Sequence, residues 1–161
     1  MSDCLVRVAG CGDTHALAGL RASWTGEVHA DDEFEWRFAT WIEAEGERRT
    51  TWLALLDDLP VGMASLFEYR RMPRPGRLDS RWGYISNMFV LEPYRARGIG
   101  TALLSAIISA ADDRSYVRLV LSPSEGALSF YRRMGFVTPD ERVRGDRLLV
   151  RPLTRTLEAR R

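Results

Sequence analysis

Residues 82–121 most narrow the folds open to this chain. WGYISNMFVL reads as a strand stopped by Pro93. RARGIG follows at 95–100, and TALLSAIISAA then repeats apolar residues at helical spacing. Ile99, Leu103, Ile107 and Ala111 share one face, with Leu104 and Ile108 beside them. YVRLVL is then a short apolar strand, the pattern of a strand covered on both faces. This strand–helix–strand unit must join a sheet, and the rest of the chain supplies one.

Glycine is a poor helix former, so Gly98 and Gly100 at a helix start need a reason. The first turn of a helix leaves backbone N–H groups without partners, and the macrodipole adds partial positive charge there. Two residues without side chains let an anion approach those amides closely. Arg95 and Arg97 add charge, and Thr101 adds a hydroxyl. The pattern suits a phosphate or pyrophosphate. It is not a P-loop, which needs a lysine after its second glycine, because the chain contains no lysine. Nor is it a dinucleotide fingerprint. The third glycine position holds Leu103, and the acid expected about twenty residues on is Arg118.

Ahead of this unit, CLVRVAG reads as a first strand and Asp13 as the N-cap of a helix carrying Leu17, Leu20 and Trp24. A second helix is expected from about Asp32, with Phe34, Phe38, Trp41 and Ile42 as its buried stripe and Gly46 as its stop. Trp36 lies off that stripe. It reads either as a second packed side or as one wall of a substrate pocket. TWLALL and VGMASLFEY, joined by a turn over Asp57 to Pro60, form a hairpin, and residues 70–81 form a loop. Downstream, Ser122-Pro123-Ser124-Glu125 reads as a capping box with Ser122 as N-cap. Its helix ends at Gly135, and DRLLVRPL is the last strand. The expected fold is α/β of the mixed α+β kind. It is a single domain over 1–153 with a central mixed, mostly antiparallel sheet and helices on both faces, and 154–161 are a frayed tail.

With 23 basic residues, all arginine, against 22 acids, the net charge is +1, so no global field for nucleic acid is expected. Cys4 and Cys11 match no zinc spacing and make no disulfide framework, so no metal is expected. No apolar run is long enough to span a bilayer and no signal peptide is evident, so the expected location is the cytoplasm.

NMFVLEPYRARGIGTALL, with Arg95, Gly98 and Gly100 in an Arg/Gln-x-x-Gly-x-Gly/Ala pattern, resembles motif A of the GNAT acyl-CoA N-acyltransferase superfamily. ALSFYRRMGF, with Tyr131 ahead of Gly135-Phe136, resembles its motif B helix. The resemblance covers residues 82–137 through these motifs and the N-terminal half through element order only. It implies acetyl-CoA as the acyl carrier. Its pyrophosphate would lie on the backbone of Arg95, Ala96, Arg97, Gly98, Ile99 and Gly100, with Thr101 at the edge. The resemblance further implies a bulge ending the preceding strand. Phe89 and Val90 would pair with the pantetheine arm, and the Val90 N–H would be the oxyanion donor. Tyr131 would serve the departing thiolate. A phenol near 10 giving its proton to a thiolate near 8.5 runs uphill by roughly 2 kcal/mol, so a hydrogen bond alone is the lesser form of that role. Ser124 stands where many relatives have Asn contacting the cofactor.

The acceptor implied is a primary amine, a small molecule in preference to a protein N-terminus, attacking directly in a ternary complex. Some relatives carry a glutamate on the strand before motif A, but here that place holds Tyr84. Glu68 on the neighbouring strand could substitute as base, directly or through water, or be only a solvated strand-end acid. Tyr84 and Ser86 would face the cleft. The acidic stretch of Glu27, Asp31, Asp32, Glu33 and Glu35, together with Trp36, would meet the acceptor and attract a cationic one. Homodimers are common in such families. The rival readings are an acyl-CoA-binding module without turnover and an arginine-rich nucleic-acid binder.

Overall fold

The computed structural model describes residues 4–26, 31–76, 80–138 and 148–153. The elements, in order, are β1 (Cys4–Val8), α1 (Thr14–Thr25), α2 (Phe34–Glu45), β2 (Arg49–Leu56), β3 (Leu59–Arg70), β4 (Arg81–Val90), α3 (Ile99–Asp113), β5 (Arg118–Leu121), α4 (Leu128–Arg133) and β6 (Leu149–Pro152). The six strands lie in sequence order in one sheet. β1 runs antiparallel to β2, β4 parallel to β5, and β5 antiparallel to β6. The mixed sheet and the order of elements agree with the expectation from sequence.

The chain forms two compact units, 1–66 with 87–107 and 67–86 with 108–161. In the first, Leu17 and Leu20 of α1 pack with Leu53, Leu55, Met63 and Phe89 of the strands. Each such side chain contributes roughly 1.5–3 kcal/mol on burial. The start of α3 adds Ile99, Leu103, Leu104 and Ile107, all 2% exposed or less. In the second, Tyr116, Leu119, Leu121, Phe136 and Leu149 are buried. Tyr131 meets Phe130 and Phe136 edge-on at 5.0 and 5.9 Å between ring centres.

Local chemistry departs from the sequence reading at several points. Asp13 sits at the N-cap of α1 but makes no side-chain cap. Its carboxylate instead accepts from the Gly10 amide at 2.7 Å and from both terminal nitrogens of Arg7 at 2.7 and 2.8 Å. The bidentate arginine outcompetes a helix amide as donor. The hairpin turn is shorter than expected. Asp57 and Asp58 both adopt left-handed backbone (φ 48 and 64), the conformation of a two-residue turn, and Pro60 already belongs to β3. The Ser122 capping box does not form. Helical structure begins later, in a 3-10 turn over Glu125–Ala127 with the extended Ser124 as its N-cap. Gly135 (φ 86) ends α4 as expected.

α2 ends at Gly46 as expected, yet none of its residues is fully buried. Phe38 and Ile42 of its apolar stripe pack against the core from one side, and the stripe also lines a cavity.

Candidate active site

The turn between β4 and α3 has an unusual backbone. Ala96 (φ 60) and Gly98 (φ 82) are both left-handed, so the backbone reverses twice around Arg97. An alanine in that region is strained by about 1 kcal/mol or more, a cost that accumulates at ligand clamps. The first helical bond of α3 runs from the Ala102 amide to the Gly98 carbonyl at 2.9 Å. The amides of Gly98, Ile99, Gly100 and Thr101 therefore precede the helical ladder, and among the described residues no carbonyl receives them. A Cβ built on Gly98 would meet nothing within 4 Å. Its missing side chain leaves open space beside the donors. Arg95, Arg97 and Thr101 are exposed around this turn. The donors, the dipole and the two guanidinium groups fit a diphosphate.

β4 leads into this turn with its own break. Asn87 is left-handed (φ 53) within the strand, which disrupts the pleat three residues before Val90. The pairing of β4 with β5 covers Gly83 and Tyr84 and goes no further. On the other side β4 stays close to β3. The Leu91 amide bonds the Val61 carbonyl at 2.9 Å, and a Cβ on Gly62 would lie 3.0 Å from the Phe89 carbonyl, so glycine is needed there. Backbone groups alternate sides along a strand, so Val90 directs its N–H and C=O away from β3. Its carbonyl accepts Arg95 Nε at 3.0 Å. Its N–H lies on an edge that β5 does not pair.

A cavity of about 340 Å³ lies in the same unit. Leu17 and Arg21 of α1, Phe34, Arg37, Phe38, Trp41 and Ile42 of α2, Thr51, Met63, Ser65 and Asn87 line it. Thr51 and Ser65 hydroxyls share a hydrogen bond of 2.9 Å in its wall. The stripe predicted for α2 is this lining. Trp36 is 69% exposed and is not part of it. Among the described residues, no carboxylate lines the cavity. Of the acidic stretch, Asp31 is tied to Arg37, Glu33 lies 3.9 Å from that guanidinium, and Glu35 meets His15 Nδ1 at 3.0 Å. Glu27 falls outside the described residues.

The second unit holds the other expected residues. Tyr84 and Ser86 are half-buried on β4. Glu68 is 8% exposed and accepts from Tyr116 Oη at 2.7 Å and Arg70 Nε at 2.5 Å, with Arg81 at 3.7 Å. Burial alone would raise its pKa, but these donors and charges outweigh burial and hold it below the usual carboxylate value. A carboxylate so held is a poor proton acceptor. Sequence reasoning missed its partner Tyr116, which lies 48 residues away. Tyr131 is 7% exposed, and burial raises its pKa. Its hydroxyl has no hydrogen-bond partner among the described residues. Ser124, exposed, lines a second cavity of about 310 Å³ with Leu128, Arg132 and Leu149. No group of three or more His, Cys, Asp or Glu side chains is placed to hold a metal among the described residues, and no described helix is long and apolar enough to cross a membrane.

Comparison with known proteins agrees with this geometry. The profile of the Acetyltransferase (GNAT) family matches residues 16–136. Glucosamine 6-phosphate N-acetyltransferase of Trypanosoma brucei brucei is 31% identical over 86 residues, 53% of this chain and 56% of that protein. N-alpha-acetyltransferase 30 of Schizosaccharomyces pombe is 37% identical over 57 residues, 34% of this chain and 38% of that protein. The chain thus spans little more than half the length of these curated relatives, or less. A predicted acetyltransferase of Clostridium acetobutylicum, crystallised with acetyl-CoA, superposes with a TM-score of 0.70 at 21% identity, over 89% of this chain and 96% of that one. The fold, the turn ahead of α3 and the match over residues 16–136 lead to one conclusion: the chain belongs to the GNAT acetyltransferase family, whose co-substrate is acetyl-CoA.

Proposed function

We propose that this protein transfers the acetyl group of acetyl-CoA to the primary amine of a small molecule by direct attack. The carrying observation is the turn from Ala96 to Thr101, with its two left-handed residues and its amides outside the helical ladder. Those amides, with Arg95 and Arg97, hold the diphosphate. Phe89 and Val90 offer the free edge of β4 to the pantetheine arm. Bound acetyl-CoA supplies an activated acyl group as a thioester. The Val90 N–H is placed on that edge to stabilise negative charge developing on the acyl oxygen.

The cavity under α2 receives the amine. It supports a small acceptor because its volume is at the low end for ligand pockets. The amine must be neutral to attack, and a lysine-like amine is mostly protonated at neutral pH. With no carboxylate in the lining among the described residues, an apolar enclosure that disfavours the ammonium form, helped by the Thr51–Ser65 hydroxyl pair, is the means of losing that proton. Tyr131 is kept protonated by its raised pKa and acts as donor to the departing thiolate. It supplies a hydrogen bond more readily than a proton.

The test combines acetyl-CoA binding by calorimetry with thiol release across a panel of amines. Saturable binding with turnover of at least one small amine is expected. Turnover of peptide N-termini alone would transfer the reading to a protein acceptor, and saturable binding with no turnover would favour a binding module.

A further inference from the structure

The cavity's charge is opposite to that of the acidic stretch ahead of it. Among the described residues, its charged lining residues are Arg21 and Arg37, with no carboxylate. The two arginines are not equivalent. Arg37 is occupied by Asp31 and lies near Glu33. Arg21 is half-buried, and among the described residues no carboxylate pairs with it. It is nevertheless held in place. Its guanidinium lies 4.8 Å from the Trp24 ring centre, Trp24 stacks on Phe89 at 5.5 Å, and Arg95 lies 6.0 Å from the other ring of that pair. A cation on an aromatic face keeps its in-plane N–H donors available to a second partner. The stack runs from the cavity to Phe89, beside the strand edge assigned to the acyl carrier.

We infer that the acceptor carries an anionic group, a phosphate or a carboxylate, besides its amine, and that Arg21 is the residue that reads it. The inference rests on the acetyltransferase reading above. Phe34, Phe38 and Trp41 enclose the body of the ligand, and Arg21 receives its negative end. A half-buried guanidinium without a carboxylate gains most from such a ligand, because charge-assisted hydrogen bonds strengthen as water is excluded. The acids of the 31–35 stretch do not reverse this sign, since Arg37 and His15 engage Asp31 and Glu35, and Asp32 and Glu33 lie outside the lining.

Matched amines test it by thiol release: glucosamine against glucosamine 6-phosphate, and phenethylamine against phenylalanine. At least one anionic member is expected to exceed its uncharged counterpart by about tenfold or more in kcat/KM, chiefly through KM. The pair that shows the gain tells phosphate from carboxylate. In Arg21→Gln that ratio should collapse toward one, and in Arg21→Lys it should be partly retained, with thermal melting confirming that both variants fold. Equal or better turnover of the uncharged members, an advantage that survives Arg21→Gln, or acetyl-CoA binding without turnover of any anionic member would each overturn the inference. Failure of the unaltered protein to bind acetyl-CoA in calorimetry would instead overturn the acetyltransferase reading beneath it.

Discussion

Two places in this molecule concentrate arginine, and they handle it in opposite ways. Around Glu68, Arg70 and Arg81 converge with Tyr116 on a carboxylate that is 8% exposed, and that carboxylate takes two hydrogen bonds of 2.5 and 2.7 Å. Around Gly98, Arg95 and Arg97 stand exposed beside amides that, among the described residues, meet no carbonyl. In the first cluster the positive charge is already answered by the chain. In the second it is left for something else to answer. Buried polar groups in a stable fold are satisfied, whereas the exposed, strained and donor-rich turn is where the proposed diphosphate would add acceptors. The comparison also weighs against Glu68 as a base. The bonds that make it stable lower its affinity for a proton.

The contrast breaks most sharply at the turn. Gly100→Glu places a carboxylate among the donors, and acetyl-CoA affinity should fall by about a hundredfold or more while the melting curve stays normal. Gly100→Ala should retain most of the affinity. Normal calorimetric affinity in the glutamate variant would show that the turn is not the anion site.

At the other cluster the expected loss is in folding. Tyr116→Phe removes a donor from a buried carboxylate and should cost about 2 kcal/mol in urea unfolding at neutral pH. The sign of its pH dependence follows from the lowered pKa of Glu68. The folded state favours the ionised form, so its stabilisation is full above the ordinary value of 4.5 and is lost as pH falls through the folded value. The difference between wild type and Tyr116→Phe should therefore shrink as the pH is taken below 4.5. A constant difference would mean that the bond to the charge is not what the hydroxyl contributes.

A smaller effect is expected for Tyr131→Phe, which should lower kcat about tenfold and leave acetyl-CoA affinity unchanged, as for loss of one hydrogen bond to a charge. The raised pKa of the phenol keeps it protonated past 10, so this group should produce no alkaline fall in rate below that pH. Unchanged kcat would reassign Tyr131 to packing with Phe130 and Phe136. Smallest of all, Ala96→Gly relieves a left-handed alanine and should raise stability by up to about 1 kcal/mol, read as an increase in Tm. A decrease would mean that the turn carries no strain at that residue.

The order of elements and the glycines of the turn were legible because both are local. Periodicity exposes a helix such as α3, and a glycine at a helix start has few uses. What stayed hidden depends on distant partners. Asp13 looked like a cap until Arg7 claimed its carboxylate. The acids near α2 looked like a lure for a cation, yet Arg37 engages Asp31 and the cavity shows arginine instead. The stripe of Phe34, Phe38, Trp41 and Ile42 had the period of a buried face, and period alone does not tell a core from the roof of a pocket. Glu68 looked available because nothing in its neighbourhood of sequence announces Tyr116.

Amide-resolved NMR during titration with coenzyme A bears most directly on the turn. The amide resonances of Gly98, Ile99, Gly100 and Thr101 should move together and saturate with the ligand, because a bound diphosphate would become their common acceptor. Coenzyme A that binds while those four resonances stay in place would contradict the account.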